Sequence, residues 1–388
     1  MKRVAIIFII TLFVYLNACN GTNRLQNTGI IVGEVPQGVE DVFLPRPDGV
    51  TVVSWVEGLE IPWQLVFLPD GNKALVTERP GRIRLIENNT LRNEPYMVIR
   101  NVGHIGEGGL MGLALHPDFP DVPYLYTMYT YREGEKIYNR VSRLIHRGDY
   151  GEYDCVILDR IPGHSVHNGG RIRFGPDRML YITTGDIWQA HRAQDVNNLG
   201  GKILRLTPDG DIPDDNPFPD SPVYSLGHRN PQGLAWHPET GHLFISDHGP
   251  SGEFGLRGRD MIKVIQPGGN YGWPETVGYI EKNKYLNPLV MWVHAVPPSG
   301  VEFYNGDLFI ATLRSQALIR IQTGHQGEYK YEVKKIERWF ATDEFRGTYG
   351  RLRDVVAGPG GQLYILTNNR DGRGSPRPGD DKILRVSF

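Results

Sequence analysis

The sequence predicts an all-β chain folded as a six-bladed β-propeller with four-stranded antiparallel blades, and three observations carry that expectation. The first is a repeat: a short apolar strand, a Pro-Asp-Gly type turn and a β-rich second strand recur six times. The copies read QLVFLPDGNKALVTER, GLALHPDFPDVPYLYTMY, RIRFGPDRMLYITTGD, GLAWHPETGHLFISDHG, VEFYNGDLFIATL and DVVAGPGGQLYILTNN. The second is the period. Turn prolines fall at Pro69, Pro117, Pro176, Pro238 and Pro359, with Asn305 in the fifth copy; Pro69 to Pro359 is 290 residues in five intervals, a mean of 58. The third is that no long helical pattern interrupts the hairpins, which at this regular spacing indicates propeller blades.

The remaining strands follow from the same repeat. After each hairpin comes a third-strand candidate with a K/R-I-x-R flavour, as in GRIRLI, GKILRL, DMIKVI, ALIRI and DKILRV. Some connections are long, notably GDIWQAHRAQDVNNLGG and NNRDGRGSPRPGDD, and long loops on a rigid scaffold usually carry function.

Ahead of the repeats stands MKRVAIIFIITLFVYLNACN. Its apolar run from Val4 to Leu16 is shorter than the roughly 20 residues a bilayer span needs, but suits the core of a secretory signal. Leu16-Asn17-Ala18-Cys19 resembles a bacterial lipobox. On that reading residues 1–19 are a signal peptide, Cys19 becomes a lipid-anchored first residue, residues 20–45 are a flexible tether and residues 46–388 the propeller. Plain cleavage to a soluble periplasmic protein is the alternative. Once Cys19 is set aside, Cys155 has no partner for a disulfide, and its apolar flank Val156-Ile157-Leu158 places it in the interior.

The composition, with 40% hydrophobic residues, supports a large core. Lys plus Arg total 42 against 44 for Asp plus Glu, so no overall basic field exists for nucleic acid.

The propeller predicts where polar residues meet. The first strand of each blade lines the axis and the second returns antiparallel, so positions counted outward from the turn become cross-strand neighbours at one end. His167 lies nine residues before Pro176, and Asp186 nine after Asp177. Arg229 lies nine before Pro238, and His248 nine after Glu239; Arg351 and Asn368 flank the last turn at eight, and Glu107 sits ten before Pro117. Residues next to the turn, including His116 and His237, read instead as turn residues without chemistry. Differing polar groups gathered at a channel mouth suggest a site.

Within that ring, His167 with Asp186 forms a plausible base and orienter, because a carboxylate on one imidazole nitrogen leaves the other basic. Gly169-Gly170 would let a ligand approach the backbone, and His164 is a loop residue. LGHRNPQG brings Arg229 and Asn230 to the mouth, where an arginine can stabilise a developing negative oxygen. SDHGPSG brings His248 and a Gly249-Pro250 turn whose carbonyls can ligate calcium. Arg351 and Arg353 in YGRLRDVV share one strand face and suggest an acidic ligand. Arg373 and Arg377 read as a solvated edge.

Together GEGGLMGLALHPDF, HNGGRIRFGPD, LGHRNPQGLAWHP, GGNYGWPE and RLRDVV resemble the soluble pyrroloquinoline quinone (PQQ) dependent glucose/sorbosone dehydrogenase family, the aldose sugar dehydrogenases, over about residues 50–388. The resemblance implies a quinoprotein oxidoreductase. In it His167 would take the proton of the anomeric hydroxyl of an aldose while hydride passes to PQQ, Asp186 would orient His167, and Arg229 and Asn230 would contact the cofactor. Calcium would sit on the carbonyls of Gly249 and Pro250, and Arg314, Arg351 and Arg353 would hold the PQQ carboxylates. Asp260, Asn368, His248 and Glu107 match further pocket positions. The product would be a lactone, with electrons leaving to an external quinone or cytochrome.

The chain departs from the family's best-studied branch at Glu107 and His248, both glutamine there, and at Arg314, a lysine there. Met261 follows Asp260 where an acidic residue is frequent, which leaves a second, structural calcium open. Two other classes fit a propeller of this shape: a calcium-dependent lactonase-type hydrolase, which should show a ring of carboxylate and asparagine ligands, and a non-catalytic binding module.

Overall fold

The computed structural model describes residues 29–281 and 284–388, and the expected signal peptide and Cys19 lie outside them. The chain forms six small, mainly antiparallel sheets, the blades of a propeller. The first two are Pro62–Phe67, Lys73–Glu78, Arg82–Glu87 and Thr90–Leu91, with Met97–Val98 added to Arg82–Glu87, then Leu110–Leu115, Tyr124–Glu133, Lys136–His146 and Gly151–Pro162. The third is Ile172–Phe174, Leu180–Thr184, Lys202–Leu206 and Val223–Leu226, and the fourth Pro231–Trp236, Leu243–Asp247, Asp260–Ile265 and Val290–Trp292. Pro298–Tyr304, Asp307–Thr312, Leu318–His325 and Tyr331–Trp339 make the fifth. The sixth joins Leu352–Gly358, Gln362–Thr367 and Ile383–Ser387 to Thr51–Val56, which arrives from the other end of the chain.

The hairpin turns work as the repeat suggests. In the second and fourth blades a histidine precedes the turn proline and caps it: His116 Nδ1 accepts the Asp118 N–H at 3.1 Å, and His237 Nδ1 accepts that of Glu239 at 3.3 Å. These imidazoles are spent on turn backbone. Second strands such as Leu180–Thr184 and Leu243–Asp247 are buried at every position, because each is covered by a neighbouring blade on both faces. The apolar layer is accordingly shared between blades: Phe244, Ile262 and Val290 of the fourth pack with Val301, Ile310 and Ile319 of the fifth.

Three expectations change. Two blades carry a fifth strand. The tether placed over 20–45 is not free along its described part: Ile31–Val32 pairs in parallel with Thr276–Val277, and Asp41–Leu44 pairs in parallel with Tyr331–Trp339. The physical reason is a polar and apolar fit. Asp41 accepts the Trp292 indole N–H at 3.0 Å and pairs with Arg338, while Phe43 packs on the core between the fourth and fifth blades. Cys155 is half-buried rather than interior, and burial pushes its thiol pKa up.

Ring closure gives a prediction. A chain starting at Pro45 keeps Thr51–Val56 and should unfold cooperatively with a midpoint only a few degrees lower, whereas a chain starting at Glu57 loses the outer strand of the last blade. Near-UV circular dichroism melts should show no cooperative transition for the shorter chain.

Candidate active site

At one end of the axis a cavity of about 420 Å³ is lined from all six blades. Its wall holds six arginines (Arg79, Arg229, Arg314, Arg351, Arg353, Arg373) and two carboxylates, Glu107 and Asp371. His167, Asn230 and His248 also line it.

His167 sits just before the first strand of the third blade with φ +56, a left-handed conformation that is uncommon outside glycine and concentrated at functional sites. Two contacts over-determine it: its backbone N–H donates to Glu107 Oε2 at 3.1 Å, and its Nδ1 lies 2.7 Å from Asp186 Oδ1. The expected base and orienter are thus brought together. Asp186 is a carboxylate surrounded by donors, since Oδ1 also accepts the Trp188 backbone N–H at 2.9 Å and Oδ2 the Trp273 indole N–H at 2.8 Å. It can only accept from the imidazole, so Nδ1 carries the proton and Nε2 keeps its lone pair. That lone pair faces Arg229 Nη2 at 2.9 Å. Burial opposes the charge on Glu107, yet Arg373, with Nη1 at 2.5 Å, and then His167 hold its pKa down at about 2.

Arg229 and Asn230 owe their place to Asp247, the end of a buried strand. One oxygen of Asp247 accepts the Asn230 N–H at 2.8 Å, the other accepts that of Arg229 at 3.3 Å and meets Lys263 Nζ at 2.6 Å. Burial works against this carboxylate, but the Lys263 charge holds it well below the usual range. The Arg229 guanidinium is fixed by Glu253 Oε1 at 2.7 Å and Ser251 Oγ at 3.2 Å. Asn230 turns its amide oxygen to the Gly169 N–H at 3.0 Å, so it braces the histidine turn as well as lining the cavity. His248 Nε2 donates to the Pro298 carbonyl at 2.9 Å, and burial lowers its pKa to about 3, leaving a neutral ring.

The last blade places Arg351 against Asp371 Oδ2 at 2.7 Å and Arg353 against Gln232 Oε1 at 2.7 Å. Asn368 donates a backbone N–H to the Arg351 carbonyl at 2.8 Å, the cross-strand pairing expected from counting outward from the turn. Burial lowers the Arg353 pKa to about 9, and its Nε has no partner among the described residues. Arg314 makes no ion pair among the described residues and lies over the Phe345 ring at 5.1 Å.

Asp186 stands behind His167, and four more of the expected site residues do not line the cavity. Asp260 lies beneath the Gly249-Pro250 turn, where Oδ1 accepts the Gly249 N–H at 2.9 Å and Oδ2 that of Val296 at 2.6 Å; burial raises its pKa to about 6. It shapes the turn. Asn368 spends its amide N–H on Asp371 at 2.9 Å, leaving its oxygen without a partner among the described residues. Gly249 is wedged so tightly that a Cβ would lie 2.1 Å from the Gly258 carbonyl oxygen. The Gly249 and Pro250 carbonyls accept no hydrogen bond from the described residues. Gly169 and Gly170 serve the fold more directly than expected: a Cβ would meet the Thr183 carbonyl at 2.4 Å and the Met111 sulfur at 2.7 Å. His164 is a turn residue whose carbonyl accepts from Asn168 at 2.7 Å.

Arg373, read from the sequence as a solvated edge, belongs to the site through its pairing with Glu107. Arg79 was missed although its signal was available: it stands nine residues after Asp70, the same count that singles out Asp186 and His248. Asp371 and Trp63 carried no such signal, the first lying in a loop and the second inside a first strand.

The Glucose / Sorbosone dehydrogenase family profile matches residues 59–384. An aldose sugar dehydrogenase of Escherichia coli (strain K12) is 32% identical over 361 residues, covering 84% of this chain and 92% of its own. The structure of a PQQ-bound aldose sugar dehydrogenase from Streptomyces coelicolor is 36% identical with a TM-score of 0.77, covering 88% of this chain and 99% of that one. A Thermus thermophilus structure, provisionally described as an oxidoreductase (glucose dehydrogenase), is 50% identical with a TM-score of 0.81, covering 87% and 100%. With the profile spanning all six blades around this cavity, the chain belongs to the Glucose / Sorbosone dehydrogenase family of oxidoreductases.

Proposed function

We propose that this protein is a PQQ-dependent aldose sugar dehydrogenase that oxidises an aldose at C1 to the lactone and passes the electrons to an external acceptor, a quinone or cytochrome. The observation that carries the reading is the oriented His167–Asp186 pair at the wall of a cavity in which arginines outnumber carboxylates six to two.

The cavity suits a polyanionic cofactor such as PQQ, a tricarboxylate. Among the described residues Arg314 has no carboxylate partner and Arg353 Nε no hydrogen-bond partner, and the depressed Arg353 pKa marks a guanidinium that an anion would stabilise. Arg314, Arg351 and Arg353 would hold the carboxylates, with Arg79 beside them. The free carbonyls of Gly249 and Pro250 offer oxygen donors for calcium, which prefers them. When bound, PQQ supplies the two-electron acceptor and calcium a Lewis acid.

The chain's own work is proton transfer and positioning. Asp186 accepts a hydrogen bond from Nδ1–H of His167, so Nε2 can receive the anomeric hydroxyl proton and Asp186 stabilises the imidazolium that results. Arg229 now donates to that lone pair, and Glu253 and Ser251 keep it beside the reacting centre when the substrate hydroxyl replaces it as donor to Nε2. Its fixed charge then favours negative charge developing on a nearby oxygen. The lactonase reading needs a ring of carboxylate and asparagine ligands on one ion. The cavity wall instead carries two carboxylates and two asparagines against six arginines, which favours the dehydrogenase.

We also infer export, from the basic start and apolar run before Cys19, with lipid anchoring at Cys19 in the bacterial envelope. Among the described residues no helix is long and apolar enough to cross a membrane.

The testing experiment uses the chain from residue 20 with PQQ and calcium, following dye reduction with a panel of aldoses, with and without chelator. Sugar-dependent reduction needing both additions is expected; none, with no quinone spectral change on adding sugar, would overturn the reading. His167→Ala should retain PQQ by absorbance titration yet lose about a thousandfold in turnover, and Asp186→Asn about a hundredfold. Arg351→Ala combined with Arg353→Ala should instead weaken PQQ binding by about a hundredfold, measured in the same titration.

A further inference from the structure

The long loop that follows Asp186 carries an exposed tryptophan that the proposed chemistry leaves without a role. Trp188 is 52% exposed, and its indole lies beside the His167 ring with centroids 5.0 Å apart and planes tilted by 31°. A flexible loop would turn so large an apolar ring inward. This one is held outward: Ile187 and Trp188 both adopt positive φ, +52 and +64, a costly backbone for two consecutive bulky residues.

Its anchor is the carboxylate that orients the base. Asp186 Oδ1 accepts both the Trp188 backbone N–H, at 2.9 Å, and His167 Nδ1, at 2.7 Å, so indole and imidazole are indexed to one atom. Further along, the buried Lys202 ammonium donates to the carbonyls of Arg192, at 2.7 Å, and Gly200, at 2.7 Å, tying the rest of the loop to the third blade. The result is an anchored apolar surface beside a cavity half of whose lining residues are arginine, amide or carboxylate.

We propose that Trp188 is a sugar-binding platform and a determinant of specificity: the indole packs against the C–H face of an aldopyranose ring whose anomeric hydroxyl is presented to His167 Nε2. This rests on the sugar dehydrogenase reading above. A pyranose with equatorial hydroxyls presents axial C–H bonds on its faces, which gain from an aromatic ring, whereas its hydroxyl edges match the polar groups of the wall. Rings whose axial hydroxyls interrupt those faces should lose most.

The test is Trp188→Ala and Trp188→Phe in the PQQ- and calcium-loaded enzyme, with two readouts. One is kcat and KM for aldopyranoses; the other is binding of 1,5-anhydroglucitol, which lacks the anomeric hydroxyl, by saturation-transfer NMR. For Trp188→Ala the expected result is a KM raised about five- to tenfold, kcat changed less than about twofold and a matching loss of anhydrosugar affinity, with Trp188→Phe in between. A fall in kcat with KM and anhydrosugar binding unmoved would overturn the proposal and make Trp188 a positioning residue for His167. If the parent enzyme neither oxidises any aldose nor binds the anhydrosugar, the dehydrogenase reading itself fails, a result distinct from an unaffected variant.

Discussion

Ring closure governs both the stability of this propeller and the shape of its cavity. Six twisted sheets around an axis leave two unpaired faces unless the first and last blades are joined, and here Thr51–Val56 does so as the outer strand of the last blade. Val56, Leu65 and Val76 then pack with Tyr364, Leu366 and Ile383 across the seam. The seam runs through the site. Trp63 and Arg79 come from the first blade and Arg351 and Arg353 from the last, with Arg353 5.7 Å from the Trp63 ring centroid. A loose closure would therefore blur the cavity as well as lower stability.

Around that ring the chain meets a second problem, the backbone N–H groups exposed where strands give way to loops. A common solution is a buried carboxylate. Asp186 serves Trp188, Asp247 serves Arg229 and Asn230, Asp260 serves Gly249 and Val296, and Asp381 serves Asn369 and Arg370. Each side chain replaces ladder hydrogen bonds at the end where polar residues gather. Loops built in this way hold fixed positions, which a proton-transferring histidine and its neighbours require.

The same end of the propeller concentrates like charge against its own stability. Burial lowers the pKa of Arg79 to about 10 and of Arg353 to about 9, and only two carboxylates in the wall answer six guanidiniums. Even with Arg229 paired by Glu253 behind the wall, Arg79, Arg314 and Arg353 remain in excess in a chain of near-zero net charge, which is where a protein gives up stability for ligand affinity. Trp188, exposed on a strained backbone, fits the same pattern in an apolar register.

How much of this was legible in the sequence follows from the physics of each feature. Turn chemistry and strand alternation are local, so the six hairpins, their period and the turn roles of His116 and His237 could be read directly. Counting from a hairpin turn is local too, which is why His167 with Asp186 and Arg351 with Asn368 emerged as neighbours. Pairings between distant segments were not legible. The docking of Asp41–Leu44, the partnership of Arg373 with Glu107 and the placement of Asp260 beneath a turn arise only when separate blades converge. The repeat, the hairpin registers and the polar candidates at the strand ends are written in the chain, because they depend on neighbours along it. Which candidates face the cavity and which brace it is settled in three dimensions, because that depends on the angle at which six blades meet around one axis.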